Sequence, residues 1–314
     1  MQTRLLGNTG QNVSALCLGA MYFGSRNNRA TSYRILDQYA DAGGTFIDTA
    51  NIYATWIDGF QGGESEILLG EWMAERSNRD TVFIASKVGF DYQDVSIGLS
   101  AKQIEEECHK SLKRMNIETI DLYYCHKDDR NTPLEETLEA LNKLVQAGKV
   151  RYIGASNYMA WRLEYARLVS ESNNWAQFCC VQQRHTYLPL RAGADTGRQV
   201  VTNEDLQAYC EDTNTTLLAY SALLGGAYTR TDRPIPVGYA SADNQQRLAV
   251  LNEIANELGA TANQVVLCWM MQSTPAVLPL IAASTEEQLA ENIESLNFTL
   301  SDEQMNRLNS AGTT

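Results

Sequence analysis

Apolar residues in this chain gather into eight compact runs, at positions 15–21, 45–50, 82–88, 120–126, 150–156, 178–185, 216–222 and 276–283. Several are nearly continuous in apolar residues, as expected of parallel strands covered on both faces. Between the runs the period changes to three and four. Ile104, Cys108, Leu112 and Met115 form one helical stripe, opened by Ser100-Ala101-Lys102-Gln103 as a capping box. Leu134, Leu138, Leu141 and Val145 form a second, stopped at Ala147-Gly148, and Leu248, Leu251, Ile254 and Leu258 a third, stopped at Gly259. Thr285–Gln288 and Ser301–Gln304 read as two more capping boxes.

Strict strand–helix alternation predicts an α/β (β/α)8 TIM barrel formed by residues 1–314 as one domain. Gly7-Asn8-Thr9-Gly10 between short apolar pieces predicts an N-terminal β-hairpin. The rival, an open doubly wound sheet, wants Gly-x-Gly-x-x-Gly after the first strand, and Leu18-Gly19-Ala20-Met21 does not supply it. Two insertions, 51–63 and 224–244, fall where strand C-termini lead into helices, the catalytic face of such barrels.

Composition narrows the function. A net charge of −13 disfavours a nucleic-acid binder. No run is long enough to span a membrane, and the first residues lack a signal-peptide core. Seven cysteines, most in apolar stretches and none in a CxxC, read as reduced core residues, so we expect a cytoplasmic protein without a structural metal.

The strand ends carry the candidate chemistry. The second run ends on Asp48 and leads to Tyr53; the third gives Lys87, the fourth His126, the fifth Ser156 and Asn157, the sixth Gln182, the seventh Ser221. Each has an ordinary explanation alone: a turn cap, a solvated lysine, a core histidine. Adjacent barrel strands, however, put Asp48, Lys87 and His126 side by side. A lysine held charged by Asp48 would lower the pKa of a neighbouring tyrosine, making Tyr53 a candidate general acid or base. Of the other histidines, His109 sits in a charged helix and reads as solvated.

Taken together, the stretches "FIDTANIY", "IASKVG", "DLYYCHKDD", "GKVRYIGASN", "LLAYSALLGG" and "STEEQLAEN" resemble the aldo-keto reductase family over essentially the whole chain. The resemblance implies NAD(P)H-dependent reduction of an aldehyde or ketone by a tetrad of Asp48, Tyr53, Lys87 and His126. Tyr53 would be the general acid, and His126 would orient the carbonyl. It implies cofactor contacts at Met21, Asp48, Ser156, Asn157, Gln182, Ser221, Leu223, Gly225, Ser284, Gln288 and Asn292. Two departures stand out. His185 falls where the resemblance places a tyrosine stacked on the nicotinamide, with Tyr187 as the alternative ring. Ser284 stands where many relatives carry an arginine against the 2′-phosphate, so NADP(H) is expected with some use of NAD(H).

Tyr22 and Trp56, with His126, are expected to contact a small-molecule carbonyl substrate, within a wall that also draws on Met21, Phe23, Phe90 and Tyr92. Arg230 and Arg233 are either solvated or meet an acidic or sugar-like substrate. The expected assembly is a monomer or small homo-oligomer, with no nucleic-acid or membrane partner. The main rival reading is a non-catalytic NADPH-binding regulatory subunit of the same fold. A metal-dependent hydrolase is a weaker one, because one strand-end histidine is too few ligands.

Overall fold

The computed structural model describes residues 1–312. The chain opens on an antiparallel hairpin, β1 (Thr3–Leu5) and β2 (Asn12–Ser14), paired Thr3 to Ser14 and Leu5 to Asn12. Gly7 turns it with φ +50°, and a Cβ there would meet the Cys179 carbonyl oxygen at 2.3 Å, so only glycine lets the hairpin seat against the barrel.

Eight parallel strands follow and close on themselves: β3 (Cys17–Gly19), β4 (Phe46–Asp48), β5 (Phe83–Val88), β6 (Ile120–Cys125), β7 (Val150–Ser156), β8 (Phe178–Arg184), β9 (Thr216–Tyr220) and β10 (Val277–Ile281). Closure comes from β10 pairing with both β9 and β3, Leu280 opposite Cys17. With the helices between strands this is a (β/α)8 TIM barrel, as the alternation predicts. The paired segments of β3 and β4 are three residues each, shorter than their apolar runs, because residues beyond them already turn toward the helices.

Alternation sorts the side chains. Cys17, Phe46, Phe83, Ala85, Leu122, Tyr124, Cys180, Leu218 and Leu278 pack inside the barrel with Leu6 and Val13 of the hairpin. The intervening residues, among them Leu18, Ile47, Ile84, Tyr123, Ile153, Val181, Leu217 and Ala219, face the helices in the larger outer core. An inward register at one level forces an inward register two residues later, at the mouth. That rule chooses the site residues.

The helices are α1 (Arg29–Asp41), α2 (Glu64–Arg76), α3 (Ala101–Met115), α4 (Leu134–Gln146), α5 (Ala160–Asn173), α6 (Glu204–Thr213), α7 (Ala242–Leu258), α8 (Ala262–Gln272), α9 (Glu286–Glu294) and α10 (Asp302–Ser310). Of the three expected capping boxes, only Ser301–Gln304 is reciprocal. Ser100 and Thr285 do cap their helices, but the Gln103 amide donates to the Ser96 carbonyl and Gln288 accepts from the Ser284 N–H. A further reciprocal box, Thr261 with Gln264, starts α8 and was not anticipated. No helix of the described residues is long and apolar enough to cross a membrane.

Candidate active site

Phe46, Ala85 and Tyr124 point into the barrel, so Asp48, Lys87 and His126, two residues further on each, do so at the mouth. Tyr53 arrives from the turn after β4, whose Tyr53 N–H donates to the Ala50 carbonyl at 3.3 Å. Lys87 Nζ is the hub. It donates to Asp48 Oδ1, to the Thr49 carbonyl at 2.7 Å and to Tyr53 Oη at 2.8 Å. Tyr53 Oη lies 3.3 Å from the same Asp48 oxygen, while Gln182 Nε2 donates to Asp48 Oδ2 at 2.8 Å. His126 stands edge-on to Tyr53, ring centroids 6.1 Å apart, with Phe90 packed edge-on to His126 at 4.7 Å. Asp48 and Lys87 are fully buried, Tyr53 nearly so, and His126 is half-buried.

The electrostatics depart from the expectation that Lys87 lowers the Tyr53 pKa. Burial first, and the Asp48 charge second, hold the Tyr53 phenol well above its ordinary value. Asp48 sits against Lys87 and spends much of the ammonium's field, so the phenol feels a near-neutral pair. Burial also lowers Lys87, opposed by Asp48. Burial, then the Lys87 charge, push His126 well below the usual imidazole range. Around neutral pH the arrangement is therefore a protonated phenol beside a neutral imidazole, whose buried Nδ1 has no partner. A phenol in that state has a proton to give.

Further polar groups line the mouth beside this cluster. Ser156 and Gln182 border Asp48's side of the barrel, and Tyr220, inward after Leu218, extends its hydroxyl to Asn157 Oδ1 at 2.8 Å. After β9 the backbone turns through Ser221, Leu224, Gly225 and Gly226, all at positive φ, with the Leu224 N–H donating to the Ser221 carbonyl at 3.0 Å and the Gly226 N–H to the Leu223 carbonyl at 2.8 Å. Arg230 and Arg233 fold onto this turn: a Cβ on Gly225 would sit 3.0 Å from Arg233 Nη1, and one on Gly226 3.0 Å from Arg230 Cδ. Arg233 donates to the Gly225 carbonyl at 3.1 Å, while Arg230 pairs with Asp232. Leu223 belongs to the same turn. Met21 follows β3, half-buried, and Ser284 and Gln288 begin α9, where Asn292 donates to the Ala282 carbonyl at 3.2 Å.

A family model described as the aldo/keto reductase family matches residues 15–313. The chain belongs to this family. An uncharacterized oxidoreductase, YrpG of Bacillus subtilis, is 33% identical, covering 98% of this chain and 95% of its own. A norsolorinic acid reductase, stcV of Emericella nidulans, is 34% identical over 94% of this chain and 77% of its own. Among solved structures, a thermostable aldo-keto reductase in complex with the inhibitor epalrestat superposes with a TM-score of 0.79 at 28% identity, covering 99% of both chains.

Several site expectations for this aldo/keto reductase need correcting. His185 does not face the mouth. It follows directly after β8, and its ring stacks on Trp269 of α8 at 5.6 Å and 25°. Tyr187 is also outside, its hydroxyl donating to the Leu308 carbonyl at 3.0 Å. The aromatic ring at the mouth is Tyr220, which the sequence reading missed, although alternation from Leu218 points to it. Asn157 is already saturated: Nδ2 donates to the His126 carbonyl (2.9 Å) and Ser156 Oγ (3.1 Å), and Oδ1 accepts from Val200 N–H (3.0 Å) and the Tyr220 hydroxyl. Of the expected substrate wall, Trp56 is 46% exposed with its ring 6.3 Å from that of Tyr53, and Phe90 flanks His126. Tyr22 is half-buried under the Arg26 guanidinium at 4.6 Å. Phe23 and Tyr92 are buried elsewhere, Phe23 in the outer core and Tyr92 on Glu107. His109 is exposed, as expected.

A third long loop, 185–203 after β8, also went unrecognised. It folds over the rim through the Val200–Asn157 bond and an Arg198–Asp91 ion pair. With the loops after β5, β6 and β7 it borders a cavity of about 340 Å³ lined by Gly89, Ile97, Lys127, Asn157, Met159 and Val200, among others. All seven cysteines are free thiols. Among the described residues no group of three or more His, Cys, Asp or Glu is placed to hold a metal ion.

Proposed function

We propose that this protein reduces an aldehyde or ketone to the alcohol with NADP(H), and that Tyr53 is the general acid. The observation that carries the reading is the buried phenol bonded to Lys87 Nζ at 2.8 Å, with Asp48 behind the lysine and neutral His126 beside the ring. Bound nicotinamide would supply the hydride to the carbonyl carbon. The chain's own groups do the rest. Tyr53 protonates the carbonyl oxygen; Lys87 stabilises the phenolate left behind; Asp48 keeps Lys87 charged and aimed; His126 hydrogen-bonds the oxygen and fixes its approach.

Met21, Asp48, Ser156, Gln182 and Tyr220 would hold the nicotinamide end, with Tyr220 in the stacking role, and Ser221, Leu223 and Gly225 the pyrophosphate. Ser284, Gln288 and Asn292 would hold the adenosine end. Asn157 joins the first group by exchanging one of its internal bonds. NAD(H) is expected to serve as well: Glu286 and Glu287 occupy the first turn of α9, and the nearby Arg34 is tied to Glu286 at 2.7 Å, which leaves that guanidinium less able to answer a 2′-phosphate. For the substrate, Trp56 and Phe90 flanking the phenol and imidazole favour an aromatic carbonyl, in keeping with relatives named as a norsolorinic acid reductase and an aryl-alcohol dehydrogenase.

Tyr53→Phe tests the assignment. The variant should bind NADPH normally in a fluorescence titration and lose roughly 10²–10⁴-fold in carbonyl reduction, the usual worth of a positioned proton donor. Near-normal turnover would sink it.

A further inference from the structure

Behind β4 and β5, on the side away from the barrel axis, lie two buried carboxylates, with cations nearer the surface, that the site above does not use. Glu107 of α3, 1% exposed, accepts from Asn51 Nδ2 at 2.8 Å, the Tyr92 hydroxyl at 2.5 Å and Lys110 Nζ at 2.7 Å. Two turns further along α3, Arg114 donates to Glu66 Oε2 at 2.5 Å and to Ser111 Oγ at 3.2 Å. Glu66, fully buried in α2, accepts from Ser86 Oγ on its other oxygen. Two carboxylates face two cations, so the assembly is neutral as a whole. Apolar residues of like volume would serve stability as well, because desolvating an ion pair consumes most of its attraction. The network's connections suggest another use.

Asn51 lies between Asp48 and Tyr53 in the turn that delivers the phenol. Its Oδ1 is buried without a partner, so the Glu107 bond alone orients the side chain. Ser86 immediately precedes Lys87. Tyr92 sits in the loop that follows β5, beyond Phe90, which packs on His126. The network therefore grips the turn before the phenol, the strand beside the ammonium and the loop beside the imidazole. The Tyr53–Lys87 bond spans two of those segments.

Resting on the function proposed above, we propose that Glu107 is a positioning residue for proton delivery. It touches none of the reacting groups. Through Asn51 and Tyr92 it sets the height and tilt of the 49–54 turn, and so the aim of Tyr53 Oη between Lys87 and the carbonyl oxygen.

Glu107→Gln keeps the shape, removes the charge and cannot hold Asn51, Tyr92 and Lys110 together. Asn51→Ala removes the link to the turn alone, and Tyr92→Phe removes one buried hydroxyl that donates to Glu107. These remain informative if Glu107→Gln folds poorly. The first two variants should lower kcat by about 10- to 100-fold, the cost of a small misplacement of reacting groups, with KM for the carbonyl and the NADPH Kd little changed. Tyr92→Phe should fall between them and wild type. Placed on a Tyr53→Phe background and measured in single turnovers, Glu107→Gln and Asn51→Ala should cause no further loss, because the group they aim is already absent. Unchanged kcat in both, or the same fold-loss on the Tyr53→Phe background, would overturn the positioning role while leaving the function intact. A fully active Tyr53→Phe would instead overturn both.

Discussion

Stacked flat on Trp269 and 9% exposed, His185 is an imidazole that folding has stripped of its charge. Burial holds it down to about 4, from an ordinary 6.5, and its Nε2 has no partner. Between those two values the unfolded chain binds a proton that the native state refuses, so stability rises with pH there. The contribution is complete above about 6.5 and is lost as pH falls toward 4, roughly 3 kcal/mol over the window. His185→Phe keeps the stack and removes the titration. Thermal unfolding at pH 7 and pH 5 should show a smaller acid-induced drop in Tm for the variant than for wild type. An equal drop would mean that the ring is solvated or protonated in the native state. Tyr53 is raised rather than lowered and has a different consequence: it keeps its proton throughout the neutral range, the state a donor needs.

At the level of elements, strands and loops were unequally legible. The eight strands could be read because each is covered on both faces and so continuously apolar. Position within a strand was legible too, by alternation: Leu218 inward makes Tyr220 inward, whereas His185 falls just past the end of β8, where its stack on Trp269 sets its direction. The loop 185–203 carried no such signal. What orders it is distant in sequence, Val200 on Asn157 and Arg198 on Asp91, and no local pattern announces either contact. The surface pair is worth little by itself, so Asn157 shares the hold on the outer part of the loop with the backbone bonds between Arg184 and Val200 and between Thr202 and Arg184. Asn157→Ala would strand the Val200 N–H, the one of its partners that lies in the loop, at about 1–3 kcal/mol, so the loop should open roughly ten times more often. Limited trypsinolysis at Arg191 and Arg198 should accelerate accordingly, with the barrel itself staying intact. Unchanged cleavage would show that the loop is held by something other than this amide.

Across the whole molecule, chemistry and stability occupy opposite ends of one barrel. Asp48, Lys87, His126 and Gln182 gather at the C-terminal ends of their strands, while the hairpin β1–β2 closes the N-terminal end with Leu6 and Val13 among Phe46, Phe83, Leu122, Leu218 and Leu278. The division follows from parallel strands: every strand begins at one end and finishes at the other, so the connections that vary all emerge on the catalytic side. Leu6 is wholly buried in that plug, and its N–H donates to the Gln11 carbonyl at 2.9 Å, fixing the hairpin that carries it. Leu6→Ala leaves a void that β-strands on all sides cannot collapse to fill, at about 2–5 kcal/mol. The variant should unfold several degrees earlier in a thermal melt. Assayed well below its Tm, kcat and KM per folded molecule should match wild type, because no side chain of the plug reaches Asp48, Tyr53 or Lys87. A fall in kcat at full foldedness would mean that packing at the closed end is transmitted along the strands to the phenol, and that the two ends are not independent.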